Sequence, residues 1–413
     1  MKKILLILLT CVFPFLAWAV EYAPIANLEY IHRAIADKYD ITVSYNPAVV
    51  DISAAANMKY LLTAIDVANQ IQGNQTNYGT GEFATEYAAN TITVDTAIAT
   101  LIKGAVDSDE PDFSVPDPSE PGYELLEAPY KFALKTNATN SFSFDVAATG
   151  TFIVDWGDGT VETFEQPSTN SKTYSHTYAK NQAQTIRIGG QATGYNSATD
   201  IASISFASRS VISEIFGSLG LVFPTLADGA QPRFYRTFYY NFNLGGIIPR
   251  RLFYGVKGAP VSYMFYQTFY NCDGLTSVPE GLFGWLDGAP ASSMFYQTFY
   301  NCSSLTKIPD NLFGNIYGQP AMYMFYGTFY NCTGLTGEIP LGLFGDLNNY
   351  YRSYMFGYTF YNCSGLTGPS ARMPDGTYLY NYFTTGSGYY QMSKTYSGCT
   401  QLSDYANIPT GSK

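Results

Sequence analysis

The residues able to do chemistry are distributed so unevenly over this 413-residue chain that their placement alone excludes most reaction classes. Histidine occurs twice, as His32 and His176, and neither lies in the second half of the chain. A zinc site or a Ser–His or Cys–His pair therefore cannot be assembled there. Cys272, Cys302, Cys332, Cys363 and Cys399 recur about one repeat apart, which is not a zinc-ligand spacing, and no CxxC occurs. Each falls among Phe and Leu, where a thiol is a small hydrophobe. Disulfides between adjacent copies are the alternative in an exported protein, although the number is odd. Asp273, Glu280, Asp310 and Glu338 share no common repeat position, so a carboxylate pair for glycoside hydrolysis is not expected. Asp155 and Asp158 bracket Gly157. They read as turn formers, with a calcium ion as the alternative and no other cofactor expected. His176 reads as a hydrogen-bonding residue that locks a strand end.

Tyrosine is the exception, with 37 copies. Tyr266, Tyr296 and Tyr326 form one file at equivalent positions, and Tyr270, Tyr300, Tyr330 and Tyr361 form another. The structural reading is packing between copies with hydroxyls at the surface. The functional reading is an aromatic strip for sugar rings or another protein.

These residues are positioned by an internal repeat. Met264-Phe265-Tyr266-Gln267-Thr268-Phe269-Tyr270-Asn271-Cys272 recurs ending at Cys302, Cys332 and Cys363, with periods of 30, 30 and 31 residues. Leu275, Leu305, Leu335 and Leu366 follow three residues after each Cys, and Leu-Phe-Gly recurs at 282–284, 312–314 and 343–345. A degenerate copy begins at Phe234, with Asn241 in place of Cys, and a truncated one ends at Cys399 and Leu402. Met264, Thr268 and Cys272, with Phe265 and Phe269, have a spacing of four that predicts the apolar stripe of a short helix. Leu275–Val278 reads as a short strand stopped by Pro279, and Gly284, Gly288 and Pro290 turn the chain. One such unit cannot bury its own face, so the copies must stack. The pattern Phe-x-x-Cys-x-x-Leu-Thr-x-Ile-Pro resembles the BspA-type leucine-rich repeat of bacterial surface proteins, over roughly residues 210 to 408. That resemblance implies a solenoid and a role in adhesion or host interaction. The units here are longer than is usual in that family.

Upstream, alternation predicts strands at 130–134, 142–146, 152–156 and 185–188. Val154-Asp155-Trp156-Gly157-Asp158-Gly159-Thr160 followed by Ser175-His176-Thr177-Tyr178 resembles a PKD domain, which implies an immunoglobulin-like sandwich. Residues 107–121 are acidic and proline-rich and read as a linker. Residues 20–106 contain a duplication, with 26–31 matching 56–61, that reads as amphipathic helices. Residues 1–19 have the form of a signal peptide: Lys2 and Lys3, an apolar stretch from Ile4 to Leu16, and a cleavage site at Ala17-Trp18-Ala19.

The expected fold class is therefore multidomain: a small, mainly α N-terminal domain over 20–106, the 107–121 linker, an all-β immunoglobulin-like sandwich over 122–206, and an α/β leucine-rich-repeat-like solenoid over 207–413. The formal charge of −11 disfavours nucleic acid and anionic lipid as partners. No second apolar run is long enough to span a membrane, so no integral segment is expected after signal cleavage. The function expected is a non-enzymatic, exported or cell-surface binding protein with a protein or glycan ligand, the periplasm being the alternative location. The alternatives are a self-associating envelope or matrix component and, less favoured, a hydrolase accessory protein.

Overall fold

The computed structural model describes residues 122–207, 210–350, 352–383 and 390–413. All lie in one compact unit running from Phe113 to Lys413. The signal peptide, the linker and the helices expected over 20–106 lie outside the described residues.

Eight strands build the first part: β1 (Tyr130–Thr136), β2 (Thr139–Val146), β3 (Ala148–Asp155), β4 (Val161–Gln166), β5 (Lys172–Gln182), β6 (Thr185–Tyr195), β7 (Ile204–Ser205) and β8 (Ile212–Gly217). They form two open antiparallel sheets, ordered β4-β3-β6-β1-β8 and β5-β2-β7. Alternating residues such as Phe142, Phe144 and Val146 on β2, or Ile186 and Ile188 on β6, are buried, as a period of two requires.

The repeats stack behind these sheets, and here the expected α/β class is overturned. Among the described residues the α-helix is a single turn, Leu379–Tyr382. The nonapeptide expected to be helical is a run of turns. Every fourth residue is left-handed: Tyr263 at φ 61°, Gln267 at 53° and Asn271 at 56°. Between them the even-numbered residues donate to the carbonyl three residues back, as Thr268 N does to Phe265 O at 3.3 Å. The odd-numbered residues donate instead to the next rung: Phe265 N to Met294 O at 2.8 Å, Gln267 N to Tyr296 O at 2.8 Å, Phe269 N to Thr298 O at 2.9 Å. An α-helix would close every N–H on its own chain, four residues back. In these rungs half of the donors are satisfied only by a neighbour. A left-handed L-residue costs about 1–2 kcal/mol, and the inter-rung bonds offset this where Asn or Gly does not relieve it. The spacing of four in the sequence is thus the period of the turns, not of a helix.

Short parallel strands complete each rung. β9 (Gly246–Ile247) pairs with β10 (Leu275–Ser277), and β11 (Asp287–Gly288), β12 (Asn315–Gly318) and β13 (Asp346–Leu347) form a second ladder. Inside, phenylalanines stack rung on rung. Phe238, Phe269, Phe299, Phe329 and Phe360 form one column with centroids 5.4–5.6 Å apart, and Phe234, Phe265, Phe295, Phe325 and Phe356 a second at 5.4–5.7 Å. Phe253, Phe283, Phe313 and Phe344 form a third. The five repeat cysteines are free thiols, fully buried. Each donates to the carbonyl of a phenylalanine one rung back, for example Cys302 Sγ to Phe269 O at 3.1 Å. Asn241 serves the same purpose in the degenerate copy, with Nδ2 2.9 Å from Phe206 O.

That last contact locates the start of the solenoid inside the sheets. Phe206 N donates to Thr237 O, Thr237 Oγ1 to Ile204 O, and the Phe206 ring stacks on Phe238 at 5.5 Å and on Phe132 at 5.8 Å. β8, which lies beyond residue 206, completes the larger sheet by pairing with β1. The expected immunoglobulin-like sandwich is therefore corrected: the two sheets are open, and sheets and array share one core from Phe132 to Ile408. The sheets cap one end of the stack. The other end is closed by the C-terminal segment, where Lys394 N and Tyr396 N donate to Gly411 O and Ser412 O.

Candidate functional site

Two groups of residues singled out by type merit comparison: the Asp155–His176 cluster and the tyrosine files.

In the first, the carboxylates are engaged by protein donors. Asp155 accepts from Gly157 N at 2.9 Å and from Arg187 at 2.7 Å. Asp158 accepts from Thr160 N at 3.0 Å, and its other oxygen is 2.8 Å from His176 Nε2. That His176 bond is the main reason the Asp158 carboxyl titrates down at about 2. A calcium ion would have to displace Arg187 and His176. Among the described residues no cluster of three or more His, Cys, Asp or Glu side chains is arranged to hold a metal. The imidazole also stacks on the buried Trp156 at 5.3 Å, and Tyr178 donates its hydroxyl to Trp156 O at 3.0 Å. The cluster fastens a turn to a strand.

The tyrosines are organised differently. Tyr270, Tyr300, Tyr330 and Tyr361 stack at 4.4–4.6 Å with their planes within 5° of parallel, and Tyr239 extends the file. The Tyr300 ring lies between those of Tyr270 and Tyr330, so this file packs on itself. Tyr266, Tyr296 and Tyr326 also stack, at 4.6 and 4.9 Å, and Tyr235 extends them toward the sheets at 5.0 Å. Arg236 closes that end: it lies over the rings of Tyr235, Tyr239 and Tyr266, and its Nε donates to Gln267 Oε1 at 2.7 Å.

Beside the Tyr266 file runs a groove of about 460 Å³. It is lined by Tyr266, Tyr296 and Tyr326, by Tyr263, Tyr323 and Tyr354, whose rings pack against that file at 5.2–6.2 Å, and by Ser293 and Tyr358. All eight lining residues are tyrosine or serine. Burial first, and neighbouring phenols second, push the hydroxyls of Tyr266 and Tyr296 upward and that of Tyr326 to about 12. Tyr266, Tyr296 and Tyr326 therefore present neutral hydroxyls on apolar rings at any physiological pH. The lining offers no carboxylate, imidazole or thiol.

Of the seven tyrosines expected to matter, the groove uses three, Tyr266, Tyr296 and Tyr326; the other four form the closed file. Sequence reasoning missed Tyr263, Tyr323 and Tyr354. Their signal is the residue immediately before each repeat methionine, which reads Tyr, Ser, Tyr, Tyr.

Compared with known proteins, the chain matches no family model, no curated sequence and no solved structure.

Proposed function

We propose that this chain is an exported binding protein that holds a protein or glycan ligand against the tyrosine groove of its solenoid. The observation that carries the reading is the groove itself: a concave, ring-walled space of about 460 Å³ on a backbone bonded rung to rung. That volume lies in the range of ligand sites. Tyrosine gives a large amphipathic contact with little side-chain entropy to lose, and stacked rings have already lost most of it. The leader-like residues 1–19 and the resemblance to BspA-type surface repeats support export and a surface role. No helix among the described residues is long and apolar enough to cross a membrane. Binding is favoured over catalysis because the lining sets no imidazole, carboxylate or amine beside Ser293 to activate it as a nucleophile.

Self-association finds less support, since the sheets cover one end of the ladder and the C-terminal segment the other. The test is to present the full exported chain to arrays of glycans and extracellular proteins, alongside Tyr296→Ala and Tyr326→Ala variants checked for an intact thermal transition. A ligand whose binding falls in both variants supports the reading. Absence of any ligand, or binding unchanged in both folded variants, overturns it.

A further inference from the structure

The position before each repeat methionine holds Tyr263, Ser293, Tyr323 and Tyr354, with φ of 61°, 56°, 54° and 51°. The backbone is thus the same in all four rungs. Tyr323 and Tyr354 stack as neighbours, 5.4 Å apart and within 4° of parallel. At Ser293 the file lacks one ring. Tyr263 and Tyr323 are separated there by two rungs, while the adjoining file advances by 4.6 and 4.9 Å per rung. The Ser293 side chain, 5% exposed, forms the floor of the opening, and the opening lies in the groove.

A second missing ring shows that such a gap need not stay open. Gly357 stands where the next tyrosine after Tyr326 would be. A Cβ built on Gly357 would meet the rings of Tyr326 and Tyr354 at 3.1 Å, so neighbours have closed over that vacancy. Ser293, by contrast, remains part of the groove lining together with Tyr263 and Tyr323.

We propose that the slot over Ser293, between Tyr263 and Tyr323 and alongside Tyr296, seats a pyranose ring of an uncharged oligosaccharide whose neighbouring sugars lie along the groove toward Tyr326. The inference rests on the binding reading above and names its ligand class. Three observations select this ligand. The slot is walled by phenol rings, on which the C–H faces of a pyranose stack. The lining bears no charge, so a uronate, sulfate or cationic sugar would be desolvated without a partner. The backbone offers nothing to an extended peptide: Tyr263 N, Ser293 N, Phe265 N and Gln297 N already donate to Ser292 O, Met322 O, Met294 O and Tyr326 O. Side-chain hydroxyls are the polar groups facing the groove, and these match the hydroxyls of a sugar, which both donate and accept.

The experiment is calorimetric titration of the full exported chain with three neutral hexaoses, β-1,4-linked glucose, mannose and N-acetylglucosamine, and with oligogalacturonate as the anionic counterpart. Ser293→Tyr restores the missing ring on a backbone that already carries tyrosine one rung away on either side. Ser293→Ala keeps the slot open. The expected result is binding of at least one neutral hexaose, weakened roughly tenfold or more by Ser293→Tyr with an unchanged or raised Tm, and nearly unchanged by Ser293→Ala. Equal binding by Ser293→Tyr overturns the slot, as does a preference for oligogalacturonate. If no hexaose binds while an arrayed protein binds and is lost in Tyr296→Ala, this proposal fails and the broader binding function stands.

Discussion

Replacing Asn271 and Asn301 together by alanine, and in parallel by glycine, separates a turn solenoid from a helical one by the sign of the effect. Both asparagines are left-handed, at φ 56° and 57°. Asparagine visits this region more readily than alanine, whose Cβ meets the following carbonyl, so each Asn→Ala should cost about 1 kcal/mol. Glycine carries no such penalty. It also removes a buried Oδ1 that has no hydrogen-bond partner at either position. Gly398, at φ 82°, already occupies the equivalent place in the last rung. The double alanine variant should therefore lose about 2 kcal/mol, or about 4 °C of Tm at roughly 2 °C per kcal/mol for a unit this large, and the double glycine variant little or nothing. On a helix the order reverses: alanine would gain roughly 0.6 kcal/mol per site over asparagine and glycine would lose roughly 0.4. Thermal melts followed by circular dichroism measure both. An alanine variant as stable as the parent, or a glycine variant well below it, would refute the turn geometry.

Two further expectations concern the thiols and the acid range. In a chain with Cys11 replaced by Ser, the five repeat cysteines should resist a colorimetric thiol reagent until denaturant is added and then all react, because burial first holds each thiol well above its usual pKa; native-state labelling at a fast rate would contradict the ladder. Asp158 is held down at about 2 mainly by His176, so its contribution to stability is complete above the unfolded value near 4 and is lost as pH falls through about 2. The Tm difference between parent and Asp158→Asn should accordingly shrink between pH 4 and pH 2, and parallel curves over that window would show that the bond does not act as described.

Much of this organisation is legible in the residues. The repeat length, the stacked copies, the buried Phe and Cys positions and the two tyrosine files all follow from aligning the cysteines. What failed was the reading of Met264–Cys272 as a helix. Over nine residues a period of four drifts from 3.6 by less than a quarter turn, so an apolar stripe does not separate the two. The discriminating signal lay in the polar positions. Asn271, Asn301, Asn331 and Asn362 give way to Gly398, and Gln267 and Gln297 to Gly327, the exchanges that a left-handed backbone tolerates. The merging of the sheets with the array was illegible for another reason. Phe206 and Ile204 occupy the rung before the first repeat, yet nothing around them has the motif; only the bonds from Asn241 and Thr237 reveal the equivalence.

The groove is best understood as what the ladder leaves over. Alternate backbone N–H groups bond to the next rung, and those between them close turns within their own rung. The Thr hydroxyls and Cys thiols donate to Phe carbonyls one rung back, as Thr298 does to Phe265 O at 2.9 Å. Met, Phe and Leu fill the core. On the groove flank the remaining side chains are phenols, held at the rung spacing by the same bonds that build the stack. Any change in a rung's register would break those bonds along its length, so a vacancy can be filled only by neighbouring rings tilting, as they do over Gly357. Ser293, a single departure in a file of tyrosines, instead lines the groove. In an array of near-identical rungs, individuality of this kind is the means by which one place on the surface is made to differ from the rest.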